Sequence, residues 1–170
     1  AEDQMLVALY RGHSFISRAI QWITRGPYSH AAIVDADTGE TWEAWHNPGR
    51  FRKLPSPWTM HSPGTQIDFF EVEGMTPEKA HIIRGICETW ATLGVRYDYL
   101  GVLRFVTRRK RRTPIESKLF CSEAVALACL WAELPILNAD PSLISPSHLA
   151  WSSRLKPITT RPVWVPPNPT

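Results

Sequence analysis

The segment FCSEAVALACLWAEL, Phe120 to Leu134, limits the possible folds of this chain more than any other. It is long enough for a helix and apolar on nearly every face. It therefore predicts a helix enclosed by other elements, not one lying on a surface. It falls short of the ~20 apolar residues that a membrane span needs, and no other stretch reaches that length. The 170 residues suit one domain over 1–170, and a hydrophobic content of 44% against 21% charged can supply the enclosing core.

The elements that could enclose it are legible in part. MLVALYR reads as a first strand. HSFISRAIQWITRG follows with Phe15, Ile16, Ala19, Ile20, Trp22 and Ile23 at helical spacing, Ser14 as N-cap and Gly26-Pro27 as terminator. HAAIVDA and ETWEAWH are apolar runs joined by Asp-Thr-Gly, which predicts a hairpin. Residues 47–64 read as a polar, Pro-rich excursion, and TQIDFFEVEG as a further strand. TPEKAHIIRGICETWATLG is the clearest helix, with Thr76 as N-cap, Pro77 and Glu78 in the first turn and Gly94 as C-cap. A short helix around Tyr99–Val106, a basic loop, a one-turn helix at ISPSHLAWS and an edge strand at ITTRPVWVPP complete the pattern. Residues 162–170 form a Pro-rich tail. Local hairpins mixed with helices predict an α+β fold with helices packed on an antiparallel sheet.

Composition excludes several functions. A net charge of +3 is too small to argue for nucleic acid, and much of it comes from the run Arg108–Arg112. That run reads as a solvated loop, with weak contact to an acidic surface as its functional alternative. Three cysteines without CxxC spacing argue against a disulfide framework and a zinc site.

Cys121 stands where the enclosed helix begins. Unpaired amides and the positive end of the helix dipole favour a thiolate there, with a pKa lowered to ~3.5–7.5 in such settings. The same amides can hold an oxyanion. The plainer reading is a small buried hydrophobe, which Cys87 and Cys129 also fit from their mid-helix positions. A thiolate nucleophile needs an imidazole as base and then acid. His30, at the start of a strand after Gly-Pro-Tyr-Ser, has the best context; a solvated edge residue is the alternative. His46 and His61 lie in or beside the Pro-rich excursion, His81 on a helix's solvent side, and His13 and His148 near helix starts. Glu43, on the strand beside that of His30, can fix the imidazole tautomer or simply face solvent. Asp35 and Asp37 belong to the hairpin turn.

ISRAIQWITRGPYSHAAIV, WEAW, YDYLG, KLFCSEAV and ISPSHL, in that order, resemble the circularly permuted NlpC/P60 proteins of the papain-like superfamily, in which the histidine precedes the cysteine. The group most resembled is the YiiX/YaeF-like bacterial one, and the matching blocks cover residues 10 to about 150. The resemblance implies a papain-like α+β fold, a Cys121–His30 pair and Glu43 as the polar third residue. It places Tyr97 at the substrate site; Tyr28 and Ser122 are the other substrate-binding candidates. It implies a thiol hydrolase acting on an amide or peptide bond, plausibly in peptidoglycan stem peptides. A lipid acyltransferase or hydrolase using the same pair, and a non-catalytic binding domain, are the alternatives. No metal or other cofactor is expected, and the chain is expected to be a monomer. A bacterial or phage-related origin is implied; the compartment is cytoplasmic if Met5 is the native start and periplasmic or secreted if a signal peptide was removed.

Overall fold

In a computed structural model of the chain, the described residues are 3–99, 118–159, Pro162 and Trp164. The expected Tyr99–Val106 helix, beyond Tyr99 itself, and the basic run Arg108–Arg112 lie outside them. The order of elements is β1 (Met5–Arg11), α1 (Phe15–Thr24), β2 (His30–Asp35), β3 (Thr41–Trp45), β4 (Arg50–Leu54), β5 (Gln66–Val72), α2 (Pro77–Leu93), β6 (Arg96–Tyr97), β7 (Lys118–Leu119), α3 (Cys121–Trp131), α4 (Pro146–Ala150) and β8 (Leu155–Pro157). The strands form one sheet in the order β7-β6-β4-β3-β2-β1-β5-β8. The architecture is α+β, as expected. The sheet is antiparallel except for β6 and β7, which pair in parallel.

Local chemistry accounts for most of these elements. The Thr76 hydroxyl accepts Lys79 N–H at the start of α2, Pro77 opens the helix, and Gly94 closes it in the left-handed region at φ 60°. Ser14 caps α1 by accepting Ser17 N–H. The left-handed closing residue of α1 is Arg25, one position before the expected Gly-Pro. The β2–β3 hairpin forms with Ile33 opposite Trp42 and Val34 opposite Thr41.

Two expectations are corrected. Residues 47–64 are not all excursion, because Arg50–Leu54 forms β4 and pairs with β3 along its whole length. Only Phe51 and Leu54 of β4 are buried, so its apolar signal is weak. Among the described residues the last strand is Leu155–Pro157, at the sheet edge beside β5, and Ile158, Thr159, Pro162 and Trp164 of ITTRPVWVPP are in no strand; the rest of that run lies outside the described residues. Trp164, within the expected tail, packs against Phe69 and donates its indole N–H to the Ala36 carbonyl at 2.7 Å.

Alternation along the strands separates two cores. Val7, Leu9, Ala31 and Ile33 pack with α2 and α3 on one face. Leu6, Ala8, Tyr10, Ala32 and Val34 pack with Phe69 on the other, covered by Trp58 and Trp164. As expected, α3 is enclosed: every residue from Cys121 to Cys129 is buried.

Candidate functional site

His30 opens β2 opposite Tyr10 of β1, and their rings meet edge to face at 4.9 Å. Its side chain is thus on the Tyr10 face. Glu43, on β3, is buried, and its Oε2 lies 2.6 Å from His30 Nε2. The hairpin therefore brings His30 and Glu43 together. His61, in the Pro-rich segment, meets the same oxygen through its own Nε2 at 3.0 Å and stacks on Tyr10 at 4.5 Å. The other oxygen, Oε1, accepts Arg52 Nε at 3.0 Å and Nη2 at 2.6 Å. The Arg52 guanidinium also lies over the Trp45 ring at 4.9 Å.

Electrostatics fixes the protonation of this cluster. Burial alone would raise the pKa of Glu43. Its interaction with His30 and the hydrogen bonds from His30 and His61 outweigh burial, and the carboxyl is held well below its usual range. Burial lowers the pKa of His30 against the pull of Glu43. The result is a carboxylate facing a neutral imidazole whose Nε2–H donates to Glu43. That tautomer leaves Nδ1 as the basic nitrogen.

Cys121 approaches β2 from the helix-covered face. The backbone amides of Ala31, the residue after His30, and of Ser122 act on its thiol in the direction that favours the thiolate. Among the described residues no hydrogen bond joins the thiol to the His30 ring; the packing of α3 on β2 is what brings the nucleophile candidate to the histidine strand. Cys121 is 1% exposed. Burial pushes its pKa up to about 12 despite the amide donors, and the Glu43 charge adds to the rise. The thiolate expected from the helix N-terminus is therefore not the resting form, because desolvation exceeds the stabilisation from the amides. Cys129 is likewise pushed up to about 12 by burial, and Cys87 is raised.

A cleft of about 250 Å³ opens beside this cluster. It takes Ile20 and Tyr97 from the helix-side core and Tyr10 from the opposite one, so it straddles the rim of the sheet where β2 begins. His30, Trp45, His46 and His61 also line it, whereas Cys121 does not. Of the expected substrate residues, Tyr97 lines the cleft. Tyr28 lies elsewhere, donating its phenol to Asp68 at 2.6 Å and accepting from Arg11 at 3.3 Å. Ser122 is buried and donates its hydroxyl to the Ile144 carbonyl at 2.6 Å, so only its backbone faces the thiol.

Sequence reasoning did not single out Arg52 or His61 for this site. Arg52 was hidden by the missing β4. The one signal for His61 was its place in a segment flanking Glu43.

No protein-family model matches the sequence, and no curated protein does. The fold does match a solved structure, that of the metalloprotein YiiX from Escherichia coli O157:H7. The match has a TM-score of 0.70 and 16% identity, covering 94% of this chain and 98% of that one. This chain thus has a YiiX-like α+β fold.

Proposed function

We propose that the protein is a thiol hydrolase in which Cys121 is the nucleophile, His30 the general base and acid, and Glu43 the residue that orients His30. The observation that carries this reading is the buried His30–Glu43 hydrogen bond, on the strand whose next amide, Ala31, acts on the Cys121 thiol. His30 Nδ1 takes the thiol proton as sulfur attacks a carbonyl carbon, so that a neutral pair becomes a reacting thiolate and an imidazolium. Glu43 supports the imidazolium. The Cys121 backbone amide and a neighbouring donor at the start of α3 stabilise the charge that moves to the carbonyl oxygen. His30 then protonates the leaving group, and water releases the acyl product in a mirrored second step. The bond is an amide or peptide bond, and peptidoglycan stem peptides are the substrate proposed; a lipid ester is the competing one. For a substrate in the cleft to reach Cys121, side chains at the rim must move.

The solved neighbour is a metalloprotein, and one donor set here fits a divalent ion by type. One ring nitrogen each of His30 and His61 and a Glu43 carboxylate oxygen lie within 4.8 Å of one another, a combination suited to Zn²⁺ and similar ions. Such an ion would supply Lewis-acid chemistry. Two observations favour the thiol reading over this one. Arg52 already neutralises Glu43, so a dication would enter a buried site whose charge is balanced. A His30 ligated through Nε2 would also carry its proton on Nδ1 and could not accept one from Cys121.

A thiol-directed acyl probe followed by intact mass measurement tests the proposal. Single labelling that survives Cys129→Ala and vanishes in a folded Cys121→Ala supports it. Labelling that survives Cys121→Ala, or about one equivalent of tightly held metal with no labelling, rejects it. Turnover of muropeptides against lipid esters then selects the substrate.

A further inference from the structure

The first helix presents the wrong side to water. Ile20 and Thr24 mark the buried face of α1. Phe15 and Trp22, seven positions apart and so on one stripe, lie on the opposite face and are 88% and 81% exposed. Ile16 is 52% exposed and Met60, from the Pro-rich segment, 70%. Both also line the cleft that holds His30. The apolar patch therefore runs from the outer face of α1 to the mouth of the candidate site. Met60 is held there at φ 65°, a left-handed conformation uncommon for a non-glycine residue.

The charges around the patch have one sign. Arg18 and Arg25, on and just after α1, are exposed. From Gln4 to Val34 the sequence contains Arg11, Arg18 and Arg25 and not one Asp or Glu. Arg11 is committed to Asp68, which leaves the two helix arginines beside the aromatic stripe. A second copy docking through the same face would set these arginines against each other with no nearby acid in this segment to pair with them. The face needs a partner that is apolar inside and anionic outside. A bilayer with acidic headgroups has that profile, and a short helix with Phe and Trp beside Arg matches the interfacial pattern. No helix among the described residues is long and apolar enough to cross a membrane, so α1 would lie in the interface plane.

We propose that α1 seats the protein on an anionic lipid surface, Phe15 and Trp22 entering the headgroup boundary and Arg18 and Arg25 pairing with phosphates, with the cleft mouth turned toward the membrane. The proposal does not depend on Cys121 chemistry. The test is vesicle flotation of the full chain with phosphatidylcholine alone and with one quarter phosphatidylglycerol. Binding to the anionic vesicles that falls at least tenfold in Phe15→Ser/Trp22→Ser, returns in Phe15→Leu/Trp22→Phe and loses its dependence on phosphatidylglycerol in Arg18→Gln/Arg25→Gln supports it. Cys121→Ala should float like the parent. Absence of flotation, or flotation unchanged by the Ser pair, overturns it. So does a solution dimer that the Ser pair dissociates while neither protein binds vesicles. Melting curves establish that each variant is folded.

Discussion

Arg52 grips Glu43 through two nitrogens on a single oxygen, Nε at 3.0 Å and Nη2 at 2.6 Å. It thereby leaves the other oxygen to the two imidazoles. The Glu43 side chain is fully buried and that of Arg52 nearly so. Removing one partner of such a pair strands a charge in the interior, at a cost of about 3–5 kcal/mol. Arg52→Met keeps an unbranched apolar stem while deleting the guanidinium and its charge. Its free energy of unfolding in urea should fall by that amount at pH 7.5, and less at a pH low enough for Glu43 to take up a proton. An equal loss at both pH values would mean that packing, not charge, is what Arg52 supplies.

Glu43→Gln separates orientation from nucleophilicity. The amide preserves shape but cannot be an anion supporting His30 as it becomes an imidazolium. Turnover is expected to drop by about 10²–10⁴-fold, mostly in kcat, while Cys121 stays present and slowly labelled by the acyl probe. Unchanged turnover in a folded variant would remove Glu43 from the mechanism.

Stability should peak between two flanks whose signs follow from the site. His30 has a folded pKa below its ordinary 6.5 and Glu43 one below its ordinary 4.5. For both, the unfolded chain binds protons more readily, so stability is present above those ordinary values and lost as pH falls toward the folded ones. Cys121 and Cys129 have folded pKa values of about 12 against an ordinary 9.0. Their contribution is intact below pH 9 and lost as pH rises toward 12. Urea midpoints should therefore be highest between about pH 7 and 9 and decline on both sides. The same reasoning makes Cys121 alkylation by a small reagent climb with alkaline pH. A plateau of alkylation rate between pH 5 and 7 would reveal a resting thiolate and contradict the burial argument.

What was readable in the sequence follows the range of the interactions concerned. Helix α2 is fixed by chemistry within its own span, from Thr76 and Pro77 to Gly94, and was read end to end. The β2–β3 hairpin, signalled by its turn residues, places Glu43 on the strand beside that of His30 from sequence alone. β4 escaped because RFRKL carries three cations, and a reading of apolar periodicity cannot know that Arg52 turns inward to a carboxylate on the next strand. His61 meets Glu43 from a loop 18 residues away, with no local pattern to announce it. The position of Cys121 at a helix start was legible, but its depth was not. Depth depends on how the whole core closes over α3, and it reversed the direction expected for the thiol.

Gly26 offers a way to disturb His30 without touching the site. A Cβ there would run into the side chain of Ser147 in α4. The Ser147 hydroxyl accepts Tyr28 N–H at 3.2 Å and donates to the Tyr28 carbonyl at 3.3 Å, bracing the chain two residues before His30. Gly26→Ala must push Ser147 aside, with an overpacking cost of about 1–3 kcal/mol. The brace would loosen with it, so turnover should fall several-fold at temperatures where the variant is still fully folded. Ser147→Gly in the same chain removes the obstructing side chain and the brace together. It should restore most of the stability but not the turnover, whereas recovery of both would show that Ser147 only fills space and leaves His30 to be positioned by β1 and Glu43.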